Sequence, residues 1–90
     1  MSKQISIVIP LLNEEESLPE LFAWIKKVLF DSYTFEVIFV DDGSKDKSWQ
    51  IIEQLGSENP EVRGIKFQKN YGKSAALQKG FELCVGEVVV

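Results

Sequence analysis

Short apolar runs rich in β-branched residues recur along the chain, and each of the first three is followed by a polar turn and a segment with helical spacing. The runs are residues 4–12, 35–40, 62–67 and 87–90. Continuous apolar runs of this length are typical of strands buried on both faces of a parallel sheet. Strands that alternate with helices imply right-handed crossovers. We therefore predict an open, parallel, Rossmann-like α/β sheet with helices on both faces.

The first helical segment has a capping pattern and an apolar face. Ser17 and Glu20 have the spacing of a capping box, and Pro19 suits the first turn. The face expected to cover the sheet contains Leu18, Leu21, Phe22, Ile25, Val28 and Leu29. We expect Trp24 to be a packing residue as well.

The next two strands are also followed by helical segments. Asp46 is predicted to be the N-cap of the second helix, with Gly56 and Pro60 marking its end. Its inner face is predicted to contain Trp49, Ile52 and Leu55. The third helix should end at Gly86, and it carries Ala76, Leu77, Phe81 and Cys84.

Length and composition exclude several classes of protein. Ninety residues allow one small domain or part of one, and the content of 44% hydrophobic and 27% charged residues is ordinary for a globular chain. Without histidine and with Cys84 as the single cysteine, the chain cannot form an internal disulfide, a zinc site or a histidine-based triad. It has no signal-peptide pattern and no apolar run near the ~20 residues of a membrane span. We expect a reducing, cytoplasmic compartment.

The charge is distributed unevenly around a net value of -4. Residues 1–62 carry five basic and twelve acidic side chains, whereas residues 63–81 carry five basic and no acidic ones. A basic stretch therefore follows an acidic half.

Ligands of open α/β sheets bind at the carboxyl ends of the strands, so three loops are candidates for a site. We name them loop 1 (residues 10–16), loop 2 (residues 41–44) and loop 3 (residues 66–74). Loop 1 contains no glycine, and the first glycine of the chain is Gly43, which argues against a dinucleotide site of the oxidoreductase type. Loop 1 offers hydrogen-bond acceptors suited to a base or a ribose, although Asn13 and the glutamates after it could simply cap the helix.

Loop 2 places Asp41 and Asp42 side by side at the end of an apolar strand, where their mutual repulsion has no packing benefit. The two carboxylates could accept from a base N–H or a ribose hydroxyl, or lie near a divalent cation. The alternative is an ordinary polar turn before a helix.

Loop 3 ends in Gly72, Lys73 and Ser74 but lacks the earlier glycine of a Walker motif, because that position is Phe67. At a helix N-terminus within a basic stretch, these residues could bind phosphate or another anion. The alternative is a solvated basic helix face. Tyr71 is expected to anchor the loop rather than to stack on a base.

Three segments, taken in order, resemble the amino-terminal part of family 2 glycosyltransferases. They are residues 6–15 (SIVIPLLNEE), 40–44 (VDDGS) and 70–76 (NYGKSAA). The resemblance covers the whole chain and is strongest to transferases that move a sugar from a nucleotide sugar to a polyprenyl phosphate, such as dolichol-phosphate mannosyltransferases.

The resemblance implies the nucleotide-binding half of a GT-A fold and an inverting, metal-dependent hexosyltransferase that uses a UDP- or GDP-linked sugar. It implies that Pro10, Leu12 and Glu14 lie beside the nucleoside, although the family often has an aromatic residue at the position of Leu12. It further implies that Asp41 and Asp42 recognise the base and ribose, and that the diphosphate or acceptor is contacted by Gly72 and Lys73.

The same resemblance places the Mg²⁺ or Mn²⁺ ligands of the family just after Val90, so that residues 1–90 would be a truncated, inactive piece without catalytic residues. The expected partners are a nucleotide sugar and a polyprenyl phosphate or glycan acceptor, and no nucleic acid. The full-length protein would contact the membrane through other parts, and an exposed apolar edge would favour self-association of the piece. Cationic guidance of a phosphate acceptor could come from Arg63, Lys69, Lys73 and Lys79.

The same sheet is also compatible with a non-catalytic nucleotide-binding or receiver-like regulatory module and with a nucleotidyltransferase. A receiver would carry its acidic pair after the first strand and a phosphoacceptor aspartate after the third, where this chain has Lys66 and Phe67. A nucleotidyltransferase would need a glycine-rich basic loop after the first strand. The order of the loops favours the glycosyltransferase.

Overall fold

The computed structural model describes residues 4–29 and 33–84 with their side chains, and residues 87–89 by their backbone. Within these ranges, strands and helices alternate. They are β1 (Ile5–Leu11), α1 (Leu18–Leu29), β2 (Phe35–Asp41), α2 (Ser48–Glu58), β3 (Val62–Lys66), α3 (Lys73–Leu83) and β4 (Glu87–Val89). The predicted helix end at Gly86 lies outside the described residues.

The four strands form one parallel sheet in the order β3-β2-β1-β4. The strand order therefore reverses at β1, which pairs with β2 on one side and with β4 on the other. The register aligns Leu11 with Asp41 and Asp41 with Lys66, so the carboxyl ends of three strands lie level. This arrangement confirms the predicted α/β sheet and brings the three candidate loops to one edge.

Helices cover both faces of the sheet, and each face has its own apolar core. On one face, α1 and α2 contribute Leu18, Phe22, Ile25 and Ile52 to a core that also contains Phe39 of β2. On the other face, the core consists of Val8, Ile38, Val40 and Ala76 of α3. Close approach of α3 depends on Gly80, because a Cβ added there would clash with Val8 Cγ1.

The apolar face predicted for α1 is too wide. Leu18, Phe22 and Ile25 are buried, whereas Trp24 is 64% exposed and Val28 is 51% exposed. Leu21, at the same spacing, is exposed as well. The helix contacts the sheet through positions i, i+4 and i+7, and the stripe of Leu21, Trp24 and Val28 is turned away from it. Phe81, on α3, is exposed too.

The helix starts differ from the predicted caps. The Ser17 hydroxyl donates to Glu14 Oε2 at 2.7 Å, so its partner is not Glu20. The N-cap of α2 is Lys47, and Asp46 instead accepts a bond of 2.8 Å from the Ser48 N–H. Helix α2 continues through Gly56 to Glu58. None of the described helices has the length and apolar character needed to cross a membrane.

Candidate functional site

Six of the seven predicted site residues line one cleft at the carboxyl edge of the sheet. The cleft has a volume of about 600 Å³ and lies between the end of β1 and the start of α3. The predicted residues in its wall are Pro10, Leu12, Glu14, Asp42, Gly72 and Lys73. The rest of the wall consists of Ile9, Leu11, Ser17, Leu18, Leu21 and Asn70. The seventh predicted residue, Asp41, is fully buried and is not part of the wall.

Loop 1 is joined to loop 2 by a reciprocal pair of hydrogen bonds at Asn13. The Asn13 N–H donates to Ser44 Oγ at 2.8 Å, and Asn13 Oδ1 accepts from the Lys45 N–H at 2.8 Å. Asn13 has a φ of 55°, in the left-handed region that asparagine tolerates better than most residues. The amide side chain thus stabilises the turn that replaces a glycine-rich loop.

The next two amides of loop 1 bind side chains at the start of α2. The Glu14 N–H donates to Ser48 Oγ at 2.9 Å, and the Glu15 N–H donates to Asp46 Oδ2 at 3.1 Å. Ser48 is fully buried, so its hydroxyl acts as an internal support for the loop. Neither Ser48 nor Asp46 was predicted in this role, and the single signal for it is that both are short polar residues at a helix start.

Asp46 is held in its charged form by this network. Desolvation raises the pKa of the Asp46 carboxyl, but hydrogen bonds from Ser48 and from the Glu15 N–H together lower it below its ordinary value of 3.8. Protonation of Asp46 would weaken acceptors that hold both loop 1 and the start of α2.

Asp41 ends β2 with one oxygen bonded and one oxygen without a hydrogen-bond partner. Its Oδ1 accepts from the Ser44 N–H at 2.7 Å, which closes the turn of loop 2. Its Oδ2 is buried, with no hydrogen-bond donor among the described residues. A buried carboxylate oxygen without a donor is costly, so this atom is a candidate acceptor for a ligand N–H or O–H group.

Asp42 is bonded to loop 3. Its Oδ1 accepts from the Tyr71 N–H at 2.8 Å and its Oδ2 from the Gly72 N–H at 3.0 Å. A Cβ built on Gly43, the next residue, would lie within 3 Å of backbone atoms of Lys69 and Asn70. Loop 2 therefore contacts both of the other loops.

The cations predicted to guide a phosphate acceptor are not gathered at one place. Lys73 lines the cleft. Lys69 lies over the Tyr71 ring, with 5.6 Å between Nζ and the ring centroid. Lys79 pairs with Glu82 on the surface of α3, and Arg63 pairs with the buried Glu36 at 3.2 Å. Arg63 and Lys79, which were expected to contribute to guiding a phosphate acceptor, are thus engaged in ion pairs and do not line the cleft.

Two further side chains of this part of the chain, Tyr71 and Cys84, can be assigned from their surroundings. The Tyr71 ring meets the Phe67 ring edge-on, with centroids 5.4 Å apart, and this contact supports an anchoring role. Cys84 is half-buried, and burial together with the charge of Glu36 raises the pKa of its thiol. Cys84 is therefore a neutral thiol at physiological pH and a poor nucleophile.

The described residues do not form a metal centre. No group of three or more histidine, cysteine, aspartate or glutamate side chains in this part of the chain is arranged to hold an ion.

Comparison with known sequences identifies a family and several related proteins. The family model described as Glycosyl transferase family 2 matches residues 6–90. An undecaprenyl-phosphate 4-deoxy-4-formamido-L-arabinose transferase from Pseudomonas fluorescens (strain SBW25) is 45% identical over 91 residues, covering 96% of this chain and 26% of that protein. A prophage bactoprenol glucosyl transferase homolog from Escherichia coli (strain K12) is 35% identical over 88 residues, covering 97% of this chain and 29% of that protein. The chain thus spans about a quarter of the length of these relatives.

Solved structures show the same fold. TarS from S. aureus superposes with a TM-score of 0.79 at 25% identity, covering 96% of this chain and 16% of that one. The mannosyltransferase PcManGT from Pyrobaculum calidifontis, solved with GDP-Man and Mn²⁺, gives a TM-score of 0.75 at 21% identity and covers 100% of this chain and 27% of that one. The GT-A fold implied by the sequence resemblance is confirmed.

Proposed function

The chain belongs to glycosyl transferase family 2, and on that premise we propose that residues 1–90 are the donor-binding half of an enzyme that transfers a hexose from a UDP- or GDP-linked sugar to a polyprenyl phosphate with inversion. The observation that carries the proposal is the convergence of Pro10, Glu14, Asp42 and Lys73 on one cleft. The acceptor class is supported by the relatives, whose names specify undecaprenyl phosphate and bactoprenol.

The nucleoside is proposed to bind at the β1 side of the cleft. Pro10 and Leu12 supply an apolar surface there, and Leu12 is 39% exposed and thus accessible to a base. The implied contact between Asp41 and the base would require its buried Oδ2 to become accessible, because Asp41 does not line the cleft. Glu14 and Asp42 would stand beside the ribose. An aliphatic surface at Leu12 would contact a base without the stacking that an aromatic ring provides.

The diphosphate is proposed to bind at the α3 side. Gly72 is the N-cap of α3, and Lys73 is the first residue of that helix. The Gly72 N–H itself is bonded to Asp42 and Asn70, so the donors available to a diphosphate would be the Lys73 side chain and the N–H groups in the first turn of α3, whose dipole favours negative charge. Donor binding would thus orient the sugar toward the acceptor.

The metal and the acceptor are proposed to be bound by residues beyond Val90. A divalent cation, Mg²⁺ or Mn²⁺, would neutralise charge on the leaving diphosphate, and the solved PcManGT structure contains Mn²⁺. A polyprenyl phosphate is already an anionic nucleophile, so the enzyme would need to position it more than to deprotonate it. The residues described here would bind and orient the donor.

The cellular setting follows from the acceptor. We propose a cytoplasmic catalytic domain that is associated with the membrane in the full-length protein and takes part in cell-envelope glycan synthesis, with no nucleic acid as partner. We also propose that the 90-residue chain alone self-associates through an exposed strand edge. Sedimentation of the chain tests this last point, and a monodisperse monomer would contradict it.

Donor binding is tested by NMR titration and calorimetry of the 90-residue chain with UDP and GDP, with and without Mn²⁺. We expect weak, metal-independent binding that shifts the amide resonances of cleft residues and is weakened by Lys73→Gln. Lys27→Gln is the matched control, because Lys27 is an exposed lysine of α1 outside the cleft. Absence of cleft shifts at millimolar nucleotide would overturn the donor site, and metal-dependent micromolar binding would contradict the placement of the metal ligands beyond Val90.

A further inference from the structure

We propose that Asp42 is a positioning residue whose carboxylate holds loop 3 in place, so that Gly72 and Lys73 face the cleft before any donor binds. The proposal rests on the proposed function for the identity of the ligand. It adds to the nucleoside contact implied by the family resemblance, because each oxygen of Asp42 accepts from the protein's own backbone and can still accept a second hydrogen bond from the cleft.

The geometry of Asp42 fits this role. Its two oxygens accept from two successive amides, those of Tyr71 and Gly72, at 2.8 and 3.0 Å. The side chain is buried, with 6% of the residue exposed. Hydrogen bonds to an ionised carboxylate are stronger than those between neutral groups, and burial reduces competition from water. A carboxylate facing the N-terminus of α3 is further stabilised by the helix dipole.

Loop 3 is joined to loop 2 at two places. At its start, the Phe67 N–H donates to the Asp41 carbonyl at 2.9 Å; further along, within the described residues, the hydrogen bonds that join residues 68–72 to loop 2 all end on Asp42. The remaining side-chain bond of this segment is internal, from the Gly72 N–H to Asn70 Oδ1 at 2.9 Å. Tyr71 is 57% exposed and its ring meets that of Phe67 edge-on within the same loop, so this ring contact does not tie residues 68–72 to loop 2. Loss of the Asp42 carboxylate would therefore release the segment that contributes Asn70 and Gly72 to the cleft wall.

Gly43 supplies an independent observation. It has a φ of +90°, and a Cβ built at this position would lie 2.7 Å from the Lys69 carbonyl carbon and 2.8 Å from the Asn70 nitrogen. Both are backbone atoms that cannot rotate away. Loop 2 thus fits against loop 3 by close backbone approach as well as by hydrogen bonds, and a side chain at residue 43 would push loop 3 outward.

The decisive measurement is amide hydrogen exchange at Tyr71 and Gly72 in the nucleotide-free chain, followed by UDP and GDP affinity for each variant. We expect Asp42→Ala to accelerate exchange at Tyr71 and to weaken nucleotide binding, each by about tenfold or more, because two charge-assisted bonds are lost. Exchange at Gly72 should accelerate less, since its N–H keeps Asn70 Oδ1 as an acceptor. Asp42→Asn keeps one acceptor oxygen and should give an intermediate effect. Gly43→Ala should accelerate the same amides although the carboxylate is intact.

Two control variants separate the roles. Glu53→Gln removes an exposed carboxylate of α2 and should change neither exchange nor affinity. Lys73→Gln should weaken nucleotide binding and leave exchange at Tyr71 and Gly72 unchanged. Should Asp42→Ala fail to fold, Asp42→Asn and Gly43→Ala carry the test.

Three results would overturn the proposal. Wild-type exchange rates in Asp42→Asn and Asp42→Ala would show that the carboxylate does not hold the loop. Weaker nucleotide binding with unchanged exchange would limit Asp42 to direct contact with the nucleotide and exclude the positioning role. Faster exchange with unchanged affinity would show that the position of loop 3 does not affect nucleotide binding. If the wild-type chain binds neither nucleotide, the proposed donor site is wrong. The exchange data would still decide whether Asp42 holds loop 3.

Discussion

The Ser6 hydroxyl donates a hydrogen bond of 2.6 Å to Glu36 Oε2 between neighbouring strands, near the amino ends of β1 and β2. Both residues are buried. The other oxygen of Glu36 pairs with Arg63, whose guanidinium also donates to the Leu83 carbonyl near the end of α3. A polar network thus joins three strands to α3 at the edge opposite the cleft.

The Glu36–Arg63 pair should stabilise the fold more than a surface pair does. Arg63→Ala leaves a buried carboxylate with one partner fewer, and because Arg63 is itself 43% exposed we expect a loss of about 1–3 kcal/mol in the free energy of unfolding. Urea denaturation measures the loss. Lys79→Ala is the matched control, since the Lys79–Glu82 pair is exposed and its loss should cost under about 0.5 kcal/mol. Equal effects of the two variants would contradict this account.

Gly80 should tolerate no side chain. A Cβ at this position would clash with Val8 on β1, so Gly80→Ala forces α3 away from the sheet. Overpacking of this kind costs about 1–3 kcal/mol even though alanine favours helix formation. Thermal or urea denaturation gives the value, and Gln78→Ala, at an exposed position of the same helix, should be nearly neutral. A stabilised Gly80→Ala variant would show that α3 can move without loss of packing.

Ser48 should be needed for the position of loop 1. Its buried hydroxyl accepts from the Glu14 N–H, so Ser48→Ala leaves an amide without its partner and should cost about 1 kcal/mol. The same change should accelerate hydrogen exchange at the Glu14 amide. Ser57→Ala at an exposed site near the end of α2 is the control, with an expected effect near zero. Unchanged exchange in Ser48→Ala would show that Ser48 does not position loop 1.

Asp46 should make stability depend on pH in the acid range. The pKa of its carboxyl is lower in the folded chain than the ordinary value of 3.8, so its ionised form stabilises the fold above the unfolded-state pKa. This contribution is lost as pH falls through the lower, folded-state pKa. The difference in unfolding free energy between wild type and Asp46→Asn should therefore be largest near neutral pH and shrink below about pH 4. A difference that is constant with pH would rule out this linkage.

The fold and the place of the cleft were predictable because they depend on patterns that a linear sequence displays. Runs of β-branched residues predicted the strands, and their polar ends predicted which loops meet. The partner of Asp42 was not predictable, since backbone amides of Tyr71 and Gly72 have no counterpart in side-chain patterns. The exposure of Leu21, Trp24 and Val28 was not predicted, because apolar periodicity alone does not define how wide the contact face of a helix is. Arg63 was grouped with the phosphate-binding lysines by charge, and the sheet register places it at the other end of β3.

Loop 2 is a turn of four residues, yet it is bonded to both of its neighbours: Ser44 holds loop 1 and Asp42 holds loop 3. The distance between the two walls of the cleft is therefore determined by one short segment. A single-residue insertion within residues 41–44 would displace both walls together. Insertions of the same length between α2 and β3 would leave the opening of the cleft unchanged, so tolerance to length variation should differ sharply between these two neighbouring segments of the chain.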